Sequence, residues 1–152
     1  MKHLILLAGP SGSGKTTWIA QNKKDNWVII GSDDIRAELL KDADDQTQNK
    51  RVFQIAHERA AAAMMEGKVA VLDATNVRER DRQFAIRETG ADYVTVILFM
   101  TPLKEAQRRN RMRERVVQDE VIERQHKTFI EECCWLTDGH YNEYVVVQSR
   151  KE

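Results

Sequence analysis

The strongest chemical signal lies near the start of the chain, where residues 9–16 read GPSGSGKT. They fit the pattern G-x-x-x-x-G-K-[ST], in which a glycine-rich loop turns consecutive backbone N–H groups toward a phosphate at the start of a helix. Lys15 then reaches the outer phosphates, and the Thr16 hydroxyl ligates Mg²⁺. The pattern predicts that the chain binds ATP with Mg²⁺. The predicted ATP-binding residues are Gly9, Ser11, Gly12, Ser13, Gly14, Lys15, Thr16 and Thr17.

A second polar group, residues 31–36 with the sequence GSDDIR, follows an apolar run that predicts a strand. Ligands bind at the carboxyl ends of strands in open parallel sheets, so this position suits a binding site. Asp33 and Arg36 are three residues apart on a predicted helix and face the same way. Asp33 could accept a proton from an acceptor hydroxyl while Arg36 holds an anionic group of that acceptor. The alternative is that Asp33 or Asp34 caps the helix predicted over 34–41.

A third group of polar residues begins with the acid at the end of the apolar run 69–73, which has the form of a Walker B strand. Asp73 could hold Mg²⁺ through water, bind the acceptor, or bind Arg36, and the sequence does not choose among these. Thr75 and Asn76 follow at the same predicted edge of the sheet and are assigned, with Arg36 and Asp73, to acceptor binding. The alternative for Thr75 and Asn76 is a turn and a helix cap.

Residues 108–115 contain five arginines in eight positions. On a helix predicted over 104–117, Arg109 and Arg113 share one face, and both are predicted to neutralise charge in a phosphoryl-transfer transition state. The remaining arginines, around another side of that helix, are Arg108, Arg111 and Arg115. For all five arginines the alternative role is a solvated helix with salt bridges to Glu105 and Glu114.

Short apolar runs alternate with amphipathic stretches, a pattern that predicts an α/β fold with a mainly parallel sheet between two helical layers. The predicted strands are 4–8, 27–30, 68–72, 93–99 and 143–148. The predicted helices other than the one over 104–117 are 15–24, 34–41, 48–66 and one that a capping box from Asn76 to Glu79 opens and Gly90 closes. Thr101 followed by Pro102 indicates the start of another helix, with Thr101 as its cap and Pro102 in its first turn. The 152 residues are predicted to form one domain, 1–152.

Composition narrows the class of protein further. Lys and Arg together number 24, as do Asp and Glu, so the chain lacks the general attraction for polyanions that a basic protein has, and any nucleic-acid contact must be local. Cys133 and Cys134 are sequence neighbours that close no ordinary disulfide, and two buried thiols are favoured over a redox pair. With no apolar span for a membrane, we expect a cytoplasmic protein. Trp135 and Tyr141 could stack on a base, but a place in the core or at its rim is favoured for them.

The order of motifs GPSGSGKT, GSDDIR, LDATN and RRNRMR resembles the kinase module of the polynucleotide 5′-hydroxyl kinases of phages and bacteria, over nearly the whole chain. This resemblance implies a P-loop NTPase fold with a five-stranded sheet, a helical lid at about 104–117, and a bacterial or phage-infected host cytosol. It also implies that Lys15 and Thr16 bind ATP and Mg²⁺ and that Asp33 is the general base. Arg36 would bind an acceptor phosphate. The implied lid arginines are Arg109 and Arg113, and the implied strand-end aspartate is Asp73.

The acceptor is the part of this hypothesis with several alternatives. The first choice is the 5′-hydroxyl end of DNA or RNA, with the chain acting alone or with separate proteins, because it carries no fused phosphatase or ligase domain. A hydroxymethylated base such as 5-hydroxymethyluracil in phage DNA, or a small molecule such as a nucleoside, would present a hydroxyl to the same γ-phosphate. A non-catalytic ATP-binding switch is a further alternative, which the closeness of Asp33 to Arg36 disfavours.

Overall fold

The alternating pattern of the sequence produces a parallel sheet in the computed structural model, which describes residues 1–43, 45–133 and 141–148. The strands are β1 (His3–Ala8), β2 (Trp27–Gly31), β3 (Val69–Asp73), β4 (Tyr93–Met100) and β5 (Glu143–Gln148). They lie in the order β2-β3-β1-β4-β5, and all four neighbouring pairs are parallel. The predicted strands are confirmed to within one residue at each end, and the α/β prediction with them.

Helices cover both faces of this sheet. Within the described residues they are α1 (Lys15–Asn22), α2 (Ser32–Leu40), α3 (Asn49–Met65), α4 (Glu79–Thr89), α5 (Leu103–Arg111) and α6 (Asp119–Glu132). Side chains alternate between the two faces of a strand. In β1, Leu4 and Leu6 therefore join the core cluster that includes Val52 of α3 and Phe129 of α6, while Leu7 joins the opposite cluster, against which Trp18 of α1 packs. The predicted three-layer arrangement is confirmed.

The predicted start of α4 is wrong. Asn76 does not cap this helix, because its side-chain amide is buried and donates to the carbonyl of Leu7 at 2.7 Å. The helix begins at Glu79 after Arg78, which makes no side-chain cap bond. The amide of Glu79 instead donates to Oε1 of Glu132 at 3.1 Å. A carboxylate from a distant helix thus satisfies an N-terminal donor that the sequence assigned to a local cap.

The prediction of one lid helix over 104–117 is also wrong in its second half. Helix α5 ends at Arg111, and Asn110 closes the segment that follows. The side-chain Nδ2 of Asn110 donates to the backbone carbonyl of Val117, and the backbone amide of Val117 donates to Asn110 Oδ1 at 3.0 Å. These two bonds between a buried side chain and the backbone bend residues 112–117 into a loop. Helix α6 then begins at Asp119, in a stretch where no element was predicted from the sequence.

The cysteines and aromatic residues near the end of the chain are described only in part. Cys133 is buried, as expected, whereas the predictions for Cys134 and Trp135 fall outside the described residues. Tyr141 is 4 % exposed and packs in the core, which agrees with the favoured interpretation. No helix within the described residues is long and apolar enough to cross a membrane.

Candidate active site

Three segments that carry the predicted chemistry meet at the carboxyl edge of the sheet. Strand β1 ends at Ala8, directly before the glycine-rich loop, while β2 ends at Gly31 and β3 at Asp73. Gly31 and Asp73 are partners in the register of β2 and β3, and β1 lies on the other side of β3. Parallel strands end at the same edge, so the loops that follow them are neighbours. The fold therefore brings the three predicted groups together.

The glycine-rich phosphate loop, residues 9–16, is anchored by hydrogen bonds from outside it. The amide of Gly9 donates to the carbonyl of Thr75 at 2.9 Å, which ties the loop to the end of β3. The amide of Ser11 donates to Oε1 of Gln125 in α6, also at 2.9 Å. The loop is thus held from two sides by chain segments that are far from it in sequence.

Thr101 provides a third anchor. Its hydroxyl donates to the carbonyl of Ser13 at 2.9 Å, so the sequence prediction that Thr101 caps α5 is wrong. The residue at the cap position is Pro102, without a side-chain cap bond. The hydroxyl oxygen of Ser13 is itself buried and has no hydrogen-bond partner among the described residues. The loop therefore keeps one polar side-chain atom that the surrounding protein does not satisfy.

Two glycines of the loop adopt backbone conformations that other residues rarely take. Gly12 has φ 80° and Gly14 has φ 100°. A Cβ atom on Gly12 would lie 2.2 Å from the carbonyl oxygen of Ala106, so α5 packs directly on the loop backbone. A Cβ atom on Gly14 would lie 3.1 Å from Nη1 of Arg109. Glycine is required at Gly12 both by its positive φ and by the approach of α5.

Lys15 and the start of α1 form a site suited to an anion. The helix has Gly14 at its cap position with no side-chain cap bond, and its first turn has no acidic residue. Its first amides therefore lack intrahelical acceptors and face the loop with the positive end of the dipole. Nζ of Lys15 donates to the carbonyls of Gly9 and Pro10, each at 2.8 Å. These groups fit the phosphates of a nucleotide, as the motif predicts.

Burial and neighbouring charges change the proton affinity of Lys15 and Asp73. Burial lowers the pKa of Lys15 to about 8, although the carboxylates of Asp73 and Asp33 act in the opposite direction. Burial also raises the pKa of Asp73, an effect that Lys15 opposes. The two groups are thus close enough to act on each other's pKa at the end of β3. A multiply charged ligand would compensate the desolvation of Lys15.

The donor set at this edge fits magnesium bound mainly through the nucleotide and water. Thr16 is exposed in the first turn of α1, and Asp73 ends the neighbouring strand β3. Within the described residues no group of three or more His, Cys, Asp or Glu side chains could hold a metal ion. A hydroxyl and one carboxylate, with phosphate oxygens, make a typical Mg²⁺ site of a P-loop protein. Thr16 and Asp73 are the residues that would hold it.

Asp33 and Arg36 lie in contact, as their spacing predicts. Nη1 of Arg36 donates to Oδ1 of Asp33 at 2.8 Å, and Nη2 donates to Oδ1 of Asn49 in α3, also at 2.8 Å. Arg36 is only 4 % exposed, and its Nε is buried without a hydrogen-bond partner. Helix α2 begins at Ser32 and its cap position is Gly31. Asp33 therefore lies in the first turn and is not the cap, which leaves its carboxylate for other contacts.

The arginines of α5 and the following loop have different environments. Arg109 donates through Nε to Oε1 of Glu105 at 3.0 Å, beside Gly14 of the phosphate loop. Arg108 donates to both carboxylate oxygens of Glu105, and hydrogen bonds from Arg108 and Arg109 hold the pKa of Glu105 at about 2. Arg111 pairs with Asp119 at 2.6 Å. The predicted salt bridge to Glu105 is therefore present.

Arg113 and Arg115 follow α5 in the loop and are not on a helix face with Arg109, so the prediction that Arg109 and Arg113 share one face is wrong. Arg113 nevertheless lies close enough to Lys15 and Asp73 to act on the pKa of both. Arg115 donates through Nη2 to Oδ2 of Asp33, across 82 residues of sequence. The loop after α5 therefore reaches both sides of the candidate site.

The four predicted acceptor-binding residues have different environments. Arg36 and Asp73 lie at the site, whereas the amide of Asn76 is used entirely within the protein, on the carbonyls of Leu7, Leu72 and Ala74. Thr75 is half-buried and its carbonyl anchors the phosphate loop. Asn76 is therefore not a candidate to bind the acceptor, and its role is to join the ends of β1 and β3.

Several residues of the site depend on distant contacts and could not be predicted from the sequence. Asn49 holds Arg36, Gln125 holds the phosphate loop, and Asn110 closes the loop that carries Arg113. Single asparagines and glutamines have no pattern that marks them. Arg115 carried a signal, its membership in the arginine cluster, but helical spacing assigned it to another side because the end of α5 was not predicted.

Comparison with known proteins agrees with this architecture. A family model described as an AAA domain matches residues 4–133. One chain in the structure of the Pnkp1/Rnl/Hen1 RNA repair complex is 22 % identical and has a TM-score of 0.76, with coverage of 86 % of this chain and 44 % of that one. A second structure of the Pnkp1/Rnl/Hen1 complex gives 26 % identity, a TM-score of 0.63, and coverage of 76 % and 40 %. This chain thus corresponds to less than half of either relative.

A similar fold also occurs in a protein that is named as a kinase of a small molecule. A sugar kinase from Janibacter sp. HTCC2649 is 15 % identical, with a TM-score of 0.68 and coverage of 100 % of this chain and 87 % of that one. None of the curated proteins compared with the chain matches it significantly. The matches agree on the P-loop fold and differ in the molecules that the matched proteins are named for.

Proposed function

Because the chain belongs to the AAA-domain family of P-loop proteins, we propose that it is an ATP-dependent kinase that transfers the γ-phosphoryl group to a hydroxyl. The 5′-hydroxyl end of DNA or RNA is the first choice of acceptor. The observation that carries this proposal is the contact between Asp33 and Arg36, at 2.8 Å, beside the phosphate loop. A switch that only binds ATP has no need for a carboxylate held by a buried arginine at this position.

The residues on the donor side bind and neutralise the triphosphate. The loop amides and the start of α1 hold the phosphates, and Lys15 lies where its charge is offset by the phosphate groups. Arg109 beside Gly14, and Arg113 near Lys15, add positive charge where negative charge develops during transfer. Bound Mg²⁺, held by Thr16 and Asp73, would supply further charge neutralisation between the phosphates.

The residues on the acceptor side orient and activate the hydroxyl. Arg36 is fixed by Asn49, and its guanidinium charge beside Asp33 suits an anionic group of the acceptor. Asp33 takes the hydroxyl proton while the hydroxyl oxygen forms a bond to the γ-phosphorus. The bond from that phosphorus to the bridging oxygen breaks, and ADP leaves. A phosphodiester next to a 5′-hydroxyl provides the anion that this arrangement favours.

Two other acceptors remain alternatives. A hydroxymethylated base in DNA presents a hydroxyl with phosphates nearby, and a nucleoside or a sugar presents a hydroxyl without them. The similarity to a sugar kinase supports including the small molecules. An uncharged acceptor makes no use of the buried guanidinium of Arg36, which is the reason to rank it lower.

Labelled ATP offered to separate acceptors tests the proposal. The acceptors are 5′-hydroxyl DNA and RNA oligonucleotides, hydroxymethyluracil DNA, free nucleosides and free sugars. The matched control is the same oligonucleotide with a 5′-phosphate, which has no terminal hydroxyl. We expect label at the end of the 5′-hydroxyl oligonucleotide and none on the control. Label on an internal base or only on small molecules would support an alternative acceptor, and release of phosphate without any labelled acceptor would contradict a kinase.

A further inference from the structure

Both carboxylate oxygens of Asp33 accept hydrogen bonds from arginines on opposite sides. Oδ1 accepts from Arg36, and Oδ2 accepts from Arg115 of the loop after α5. The side chain of Asp33 is half exposed, so solvent could otherwise reach it. With both oxygens engaged by guanidinium groups, Asp33 has neither oxygen directed at an incoming hydroxyl.

The two arginines are held very differently. The guanidinium of Arg36 is buried, comes from the same helix as Asp33, and is fixed by Asn49. Arg115 lies 82 residues away, in a loop whose other end is closed by Asn110, and its side chain is 29 % exposed. Arg36 is therefore the permanent partner of Asp33, and Arg115 is the partner that an arriving molecule can displace.

We propose that Arg115 is a positioning residue that discriminates the anionic acceptor from water by occupying Asp33 until an acceptor displaces it. This inference rests on the proposed kinase function. Without an acceptor, water can attack ATP instead, and its attack would also need a proton acceptor. In that reaction the water oxygen bonds to the γ-phosphorus, the bond to the bridging oxygen breaks, ADP leaves, and the proton passes to Asp33.

The negative charge of the acceptor is what displaces Arg115 from Asp33. An acceptor with a phosphate beside its hydroxyl competes with Asp33 for Arg115, whereas water carries no charge and competes poorly. Arrival of the anionic acceptor therefore frees one oxygen of Asp33 as the hydroxyl reaches the site. Water does not free it, so ATP hydrolysis stays slow.

The first test compares acceptor-independent ATP hydrolysis with phosphoryl transfer in Arg115→Gln. We expect hydrolysis to rise about fivefold, the equilibrium factor that a partly exposed ion pair contributes, and the ratio of hydrolysis to transfer to rise with it. Arg115→Lys keeps the charge, so this ratio should stay nearer that of the parent protein. The matched control is Arg111→Gln, which removes an arginine of the same region that pairs with Asp119 and should leave the ratio unchanged.

A second test detects the contact between Arg115 and Asp33 without measuring ATP hydrolysis or transfer. Asp33→Asn removes the charge that Arg115 contacts, so trypsin should cut after Arg113 faster in this variant than in the parent protein, at equal overall stability measured in urea. The proposal is overturned if hydrolysis and transfer fall by the same factor in Arg115→Gln, which identifies a transition-state cation, or if cleavage after Arg113 is unchanged in Asp33→Asn. If the parent protein transfers phosphate to no acceptor, the kinase proposal fails, while the hydrolysis and cleavage results still decide the role of Arg115.

Discussion

Arg82 donates a hydrogen bond to the backbone carbonyl of Asn76 at 2.7 Å, and the side chain of Asn76 donates to the carbonyl of Leu7, also at 2.7 Å. Leu7 lies two residues before the phosphate loop. The other acceptors of the Arg82 guanidinium are Tyr141 Oη at 2.9 Å, Cys133 Sγ at 3.0 Å and the Glu132 carbonyl at 2.8 Å. A fully buried arginine therefore links helices α4 and α6 to the strand that carries the loop.

Replacing Arg82 by methionine should destabilise the protein strongly. The change removes the hydrogen bonds that Arg82 donates to the carbonyls of Asn76 and Glu132, so we expect the free energy of unfolding to fall by about 2–4 kcal/mol. Urea denaturation measures this. The matched control is Arg80→Met in the same helix, where the side chain is 76 % exposed and the change should be within about 0.5 kcal/mol. Equal effects of the two substitutions would show that the buried network contributes nothing to stability.

Gly12→Ala should disrupt the contact between the phosphate loop and α5. The new Cβ would lie 2.2 Å from the Ala106 carbonyl, at a residue whose φ is already 80°. We expect a loss of about 2–3 kcal/mol in stability and at least about tenfold weaker ATP binding, because the loop backbone must shift. Denaturation and calorimetric titration with ATP measure the two effects.

Gly67→Ala is the control for backbone strain alone. Gly67 has the same φ of 80°, but no atom lies within 4 Å of its Cβ position. Its substitution should cost about 1 kcal/mol and leave ATP binding unchanged. If both variants bind ATP as the parent protein does, the packing of α5 on the loop is not needed for nucleotide binding.

The pH dependence of kcat/KM for ATP should reflect Lys15. Burial lowers the pKa of Lys15 in the free protein to about 8, so its charge is lost above that pH and kcat/KM should fall by about tenfold per pH unit. In Lys15→Arg the guanidinium stays charged over this range, and the residual activity should not show that fall. Steady-state kinetics from pH 6.5 to about pH 9.5 distinguish the two profiles, and identical profiles would rule out Lys15 as the titrating group.

The lowered pKa of Lys15 also predicts how the free energy of unfolding depends on pH. The pKa of lysine is 10.5 in the unfolded chain and about 8 for Lys15 in the folded protein. Between these values the unfolded state binds more protons than the folded state, so the contribution of Lys15 to the free energy of unfolding rises with pH. Relative to Lys15→Met, the parent protein should gain about 2 kcal/mol between about pH 8 and pH 10 in urea denaturation. A constant difference would contradict the lowered pKa.

Asp33→Asn and Lys15→Ala should separate chemistry from nucleotide binding. Both substitutions should reduce transfer by at least about 10²-fold, because one removes the proton acceptor and the other a cation that faces the phosphates. Only Lys15→Ala should weaken ATP binding strongly, since Asp33 lies on the acceptor side. Titration with ATP and a transfer assay measure both properties. Near-normal turnover in Asp33→Asn would mean that Asp33 is not the general base.

The sequence by itself determined the sheet and the two local parts of the candidate site. Apolar runs of strand length and amphipathic runs of helix length are set by neighbouring residues, so the five strands and helices on both faces could be predicted. The phosphate loop and the pair of Asp33 and Arg36 depend on spacings of seven residues or fewer. Their local geometry therefore follows from the chain around them, and the contact at 2.8 Å agrees with it.

Only the tertiary structure decided which distant side chains complete the site. The bond from Ser11 to Gln125 spans 114 residues, and the pair of Arg115 and Asp33 spans 82. Such contacts depend on how the strands and helices pack, which no local pattern records. Asn76 and Asn110 show the same effect, because each uses its side chain on the backbone of another segment and so changes where a helix begins or ends. Hydrophobic periodicity specifies the elements, but buried polar groups find their partners only once those elements are packed.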